Sequence, residues 1–153
     1  MNPGSLEYIS SRIEEVRARM AASARRVGRD PDQVRLVAVT KTVDLGTVCA
    51  AYEAGLRHFG ENRVEEAEGK IHSSSGTMPN ATWHMIGHIQ SRKADEVGRL
   101  FPWVHSVDRV KIARRIGSAA GEHGAIVQQL ATHRALTASA FTTKQLPTHI
   151  LLT

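Results

Sequence analysis

Cysteine is almost missing from this chain: Cys49 is the only one in 153 residues. No disulfide can form within it, which fits a reducing compartment and predicts a cytoplasmic protein. Cys49 falls within a helical pattern, where a small packed residue is expected rather than a nucleophile. Aromatic residues are scarce at 5%. No basic run is interleaved with them, which argues against a stacking platform for single-stranded nucleic acid. No apolar run reaches the roughly 20 residues that cross a bilayer. The start, MNPGSLEYISSR, lacks the positive stretch and apolar core of a secretory signal. The last 29 residues, from Ala125, contain no glycine, aspartate or glutamate.

What charge there is remains mixed. The net value is +5 with a pI near 9.9. Residues 1–124 nevertheless hold 18 Lys and Arg against all 15 Asp and Glu. Arg12, Arg17, Arg19, Arg25 and Arg26 alternate with Glu7, Glu14 and Glu15 in the first helical pattern. A solvated surface is the plain reading, with no nucleic-acid or membrane partner expected. With 41% apolar residues, the length suits one domain with a modest core.

Against this background one segment stands out. Val34 to Thr42, VRLVAVTKT, is a β-branched apolar run that stops at a single lysine. Lys41 shares strand parity with Val37 and Val39, so it is expected at the inner top of a sheet or barrel. There apolar walls would strip water from the amine, lower its pKa and let it attack a carbonyl. The alternative is an ordinary solvated charge at a strand end.

The rest of the chain alternates. Leu6, Ile9, Ile13, Val16, Met20 and Val27 form one stripe on a long first helix, opened by Asn2-Pro3 and closed by Gly28 and Pro31. Strands are predicted at Val34–Thr40, Arg57–Phe59, Thr82–His88 and Trp103–Val107. Helices follow each, capped in two cases by Asp44 and Asp108. An initial helix and about four β-α units point to an α/β fold with a parallel sheet and helices outside it.

Four motifs occur in order: AVTKT (Ala38–Thr42), FGENRVEEAEGK (Phe59–Lys70), WHMIGHIQSRK (Trp83–Lys93) and VHSVDRVKIA (Val104–Ala113). Together they resemble the YggS/PROSC family of pyridoxal-phosphate homeostasis proteins, from about Leu6 to Gly124. That resemblance implies a partial (β/α)8 TIM-type barrel like that of alanine racemase. It also implies pyridoxal 5′-phosphate as the cofactor, held as a Schiff base on Lys41. The implied role is binding and buffering the cofactor, without a defined catalysed reaction, hence no catalytic residue and no metal.

Other site residues follow from the same resemblance, each beside a plainer reading. Asn62 would lie close to the cofactor, or merely cap the helix after it. Glu61 would support the site, or favour the helix dipole. His84 would stack on the pyridine ring, or be a half-buried histidine bonded to backbone. Ser106 would contact the ligand, or serve as a polar residue near a helix start. Arg92 stands where the family has asparagine.

Beyond Gly124 the family pattern stops. Residues 1–124 therefore read as the N-terminal half of the barrel, and 125–153 as a non-matching, irregular or aberrant tail. We expect a truncated chain whose tail adds at most one strand beside Trp103–Val107 and a loose helix; the alternative is a natural short form whose tail packs on the open edge. The phosphate-binding loops of such barrels commonly follow strands seven and eight, so weak cofactor binding is expected. An open sheet edge would leave a monomer or permit weak self-association. Two other readings are a racemase-like enzyme and a non-functional fragment. The first needs a second acid/base, and the two tyrosines, Tyr8 and Tyr52, both fall in helical patterns.

Overall fold

In the computed structural model, residues 4–121 are described with their side chains. For Glu122 and for the strands Gln128–Ala131 and Thr148–Leu152 the backbone alone is described. The amphipathic stripe forms helix α1, Leu6–Arg26. Ser5 caps it instead of Asn2, its side chain accepting from the Tyr8 N–H. Gly28 closes it at φ +69°, a conformation that costs glycine little. Val27, counted in the stripe, is 74% exposed, because the helix ends before it could turn inward.

Four strand–helix units follow. Strand β1 is Val34–Val39 and α2 is Leu45–Glu53. Asp44 caps α2 as expected, accepting from the Thr47 N–H at 3.0 Å. Strand β2 is His58–Glu61 and α3 is Val64–Ser74. Strand β3 is Thr82–Met85 and α4 is Ala94–Leu100. Strand β4 is Trp103–Val107 and α5 is Val110–Glu122.

Strand β3 stops three residues earlier than predicted. The Ile86 N–H still donates to the Glu61 carbonyl, but Gly87 then packs on the Asn62 backbone and redirects the chain.

The described tail supplies β5, Gln128–Ala131, and β6, Thr148–Leu152. All pairs are parallel, in the order β5-β4-β3-β2-β1-β6. The expected strand beside β4 is present. The expectation of at most one added strand is corrected, because β6 also pairs with β1 from Val34–Thr148 to Ala38–Leu152. The remaining tail residues, including Arg134 and Lys144, lie outside the described part.

The main core lies between sheet and helices. Leu36, Phe59, Trp83, Met85 and Val104 meet Val97, Ile112 and Ile116. Helices α4 and α5 approach closely at Gly98, where a side chain would meet the Ile116 carbonyl. Arg115 ties the two together, donating to Asp95 and, at 2.6 Å, to the Ser91 carbonyl. On the opposite face of the sheet, Val37 and Ile86 close over Gly60. The fold is thus a partial parallel α/β barrel.

Candidate functional site

A parallel sheet brings the ends of its strands to one edge, where α/β barrels keep their chemistry. Here that edge carries Lys41 after β1, Asn62 after β2, Gly87 and His88 after β3, and Ser106 near the end of β4.

Lys41 is exposed, contrary to the expectation of an amine stripped of water by apolar walls. Burial stops one residue earlier, at Thr40. The cause is a tight turn closed by the Val43 N–H on the Thr40 carbonyl. Thr42, at φ 62°, holds the left-handed conformation that a β-branched residue rarely adopts. Such a backbone costs about 1–3 kcal/mol and persists where its surroundings over-determine it.

Those surroundings are a polar network under the turn. The Thr42 N–H donates to Glu66 Oε1 at 2.6 Å. Lys70 Nζ reaches the Thr40 carbonyl at 2.6 Å, Glu61 Oε1 at 2.8 Å and Glu66 Oε1 at 3.3 Å. Thr40 Oγ1 donates to Glu61 Oε1 at 2.6 Å. The Thr42 N–H is the largest influence holding the Glu66 carboxyl below the usual carboxylate range, with Lys70 acting in the same direction.

This network also sorts the lysines. Lys70 is held between two carboxylates. Lys93 lies between Glu96 and Glu65, which push its pKa up, Glu96 most. Lys41 has no carboxylate within ion-pair distance among the described residues, and nor does Lys111 on α5.

Asn62 is half-buried at the start of the β2–α3 connection. It borders a cleft of about 300 Å³ with His88, Gln90 and Lys93. Gly87 lies so close that an added methyl would sit 2.6 Å from the Asn62 Cα. Ser106 Oγ donates to the Gly87 carbonyl and so fastens β4 to the β3 loop. Asn62, Gly87 and Ser106 are therefore one connected rim. Asp108 does not start α5 directly; its carboxylate accepts from Arg109 Nε at 3.1 Å.

His84 is wholly buried. His58 Nδ1 lies 2.9 Å from His84 Nε2, and His84 Nδ1 lies 2.9 Å from His105 Nε2. The ring also stacks on Trp103 at 5.7 Å. Sequence reasoning passed over Lys70, His58 and His105. Lys70 carried one signal, its i,i+4 spacing from Glu66. The two histidines carried none, since their meeting depends on strand register.

The site thus belongs to an α/β half-barrel with a lone amine presented after its first strand. No protein-family model matches the chain. Individual relatives do. It is 47% identical over 111 residues to the pyridoxal phosphate homeostasis protein of Pseudomonas aeruginosa, covering 72% of this chain and 47% of that one. It is 39% identical over 109 residues to the Escherichia coli K12 protein of the same name, covering 71% and 47%. The solved structure of PipY from Synechococcus elongatus PCC7942 with PLP bound matches at TM-score 0.58 and 42% identity, over 71% of this chain and 50% of that one. A Bifidobacterium adolescentis protein described as unknown matches at TM-score 0.69 and 33% identity, over 82% and 54%. Over the matched residues the chain belongs to the pyridoxal phosphate homeostasis (YggS/PROSC) family. It spans about half the length of the curated relatives it matches.

Among the described residues no helix is long and apolar enough to cross a membrane.

Proposed function

We propose that this chain binds pyridoxal 5′-phosphate at the edge defined by Lys41, Asn62 and Ser106, and that it holds and buffers the cofactor without catalysing a defined reaction. The observation that carries this is the presentation of Lys41. A strained turn, clamped from beneath by Glu61, Glu66 and Lys70, fixes the backbone on either side of Lys41 at the strand end. The names of the relatives and the PLP-bound PipY support the reading.

The residues present fit such a group in part. A lysine without a carboxylate partner suits an aldehyde, and the rim of Asn62 and Ser106 offers hydrogen-bonding groups. When bound, the cofactor supplies an aldehyde carbon that a neutral amine attacks with loss of water. Lys41 would provide that amine. Asn62 would orient the ring substituents, and Ser106 would hold the Gly87 loop in place. Buried His84 would form the floor beneath them. The loops after the seventh and eighth strands of a barrel commonly hold phosphate. They fall outside the matched half, so the binding expected of this chain is weak.

A non-catalytic role is supported by the tyrosines. Tyr8 and Tyr52 lie on helices α1 and α2, away from the strand ends, so neither is placed as a second acid/base. The single cysteine fits a cytoplasmic setting.

Borohydride trapping with added cofactor, followed by peptide mapping, tests the reading. Label should concentrate on Lys41, and Lys41→Ala should abolish the cofactor-dependent absorbance between 300 and 500 nm. Equal labelling of Lys70, Lys93 and Lys111 would overturn it.

A further inference from the structure

Three imidazoles meet on the face of the sheet turned away from the helices. His58 of β2, His84 of β3 and His105 of β4 form one hydrogen-bonded series, with 2.9 Å between the nitrogens at both contacts. Strand alternation puts all three on the face where Val37 and Ile86 close over Gly60. The middle ring is wholly buried, while His58 and His105 are half-buried. His84 spends both of its nitrogens inside the series. While neutral, it donates to one neighbour and accepts from the other.

Proton counting sets the capacity of this arrangement. Three neutral imidazoles carry one N–H each. Each of the two contacts needs one proton between its nitrogens. The third proton then sits on an outer nitrogen, His58 Nε2 or His105 Nδ1. One added proton fills the other outer nitrogen, and both contacts survive. A second added proton must enter a contact that already holds one. Two N–H groups then face each other, and two positive charges share three adjoining rings, so that contact fails. His84 is packed on Trp103 with the ring planes 20° apart and cannot turn to water. Relief must come from movement of one strand against the next.

The groups around the rings do not favour a second charge. On the same face, the Arg35 guanidinium of β1 lies 5.5 Å from the Trp103 ring centroid. The cavity that His58 borders is lined by Asp32 and by Arg17, Arg25 and Arg57. In register, Gln128 of β5 pairs with Trp103 and His149 of β6 with Arg35. Residues 123–153 contain no aspartate or glutamate, so no carboxylate reaches the rings from there. The series also lies close to the strand ends. Ser106 directly follows His105, and its Oγ donates to the carbonyl of Gly87 in the loop after β3. Asn62 directly follows β2.

We propose that the His58–His84–His105 series is an acid switch. It stores one proton with the sheet intact, and a second proton parts two of the three strands and releases the rim of Asn62, Gly87 and Ser106. This concerns the chain by itself and does not rest on the cofactor reading.

Nitrogen–proton correlation spectra of the labelled full chain, without cofactor, test it. They are recorded downward from about pH 8, through the range where imidazole ordinarily titrates. The three rings should shift together at one shared midpoint as the first proton enters. At lower pH the backbone amide signals of Gly87 and Ser106 should move as the second enters. In the double variant His58→Asn/His105→Gln, the new amides stand where Nδ1 and Nε2 stood, and each can donate or accept. No second charge can then oppose His84, so the rim movement should shift by roughly one pH unit or more toward acid, or vanish. His72→Gln, an exposed histidine on α3, should leave the transition in place. The shared midpoint and the rim movement are read in the unmodified chain, so that arm stands even if a variant fails to fold. Four results would overturn the proposal: three separate midpoints, rim signals unmoved through both steps, the same transition in the double variant, or an equal shift in His72→Gln.

Discussion

Lys70 Nζ lies 2.8 Å from Glu61 Oε1, and the two side chains are 11% and 0% exposed. This buried pair sits directly under the turn that presents Lys41. The second Glu61 oxygen, Oε2, is buried with no hydrogen-bond partner. Glu61 therefore depends on Lys70 and Thr40 for its compensation.

Removing Lys70 should consequently be severe. Lys70→Met leaves a buried carboxylate without its cation, a change that costs about 3–5 kcal/mol. Replacing both partners, as Glu61→Leu/Lys70→Met, should recover most of that loss, because the uncompensated charge goes too. Urea denaturation of the three proteins measures it. A double variant no more stable than Lys70→Met would show that the pair is not the source of the effect.

Glycine positions separate a packing need from a mere helix defect. At Gly87 a methyl would lie 2.7 Å from the Asn62 carbonyl carbon, which is backbone and cannot step aside. Gly87→Ala should cost about 1–3 kcal/mol and displace the rim that joins Asn62 to Ser106. Gly69, within α3, has nothing within 4 Å of such a methyl. Gly69→Ala should stabilise the protein by about 0.5–1 kcal/mol. Thermal melts of both variants check the opposite signs. A neutral Gly87→Ala would mean that the β3 loop is not held against Asn62.

These residues also show how far the sequence could be read. The alternation of strands and helices, the Asp44 cap and the position of Lys41 at a strand end were all visible, because each depends on residues a few positions apart. The motifs around Asn62, His84 and Ser106 were visible as a resemblance. The left-handed Thr42 was not, since no glycine or asparagine marks that turn. It is imposed by Glu66, from the next helix but one. The series His58–His84–His105 was hidden for a related reason: three strands must align before the rings meet. The pairing of β6 with β1 joins the last described strand to the first, and no local pattern announces such a contact.

Acid should loosen the Lys41 turn through Glu66. The carboxyl of Glu66 is held below the usual range, chiefly by the Thr42 N–H. A carboxylate whose folded pKa is depressed contributes stability that is fully present above its unfolded value and is lost as pH falls through the folded one. Between neutrality and about pH 5 the turn should therefore hold. On further acidification it should give way, since protonation takes the charge from the oxygen that Thr42 N–H and Lys70 share. Glu66→Gln should remove this share of the acid dependence and lower stability at neutral pH, while leaving the contributions of Asp44 and Asp95, also depressed, in place. Denaturant unfolding at a series of pH values, for both proteins, measures the difference. If the two curves run parallel from pH 7 down to pH 3, Glu66 does not clamp the turn.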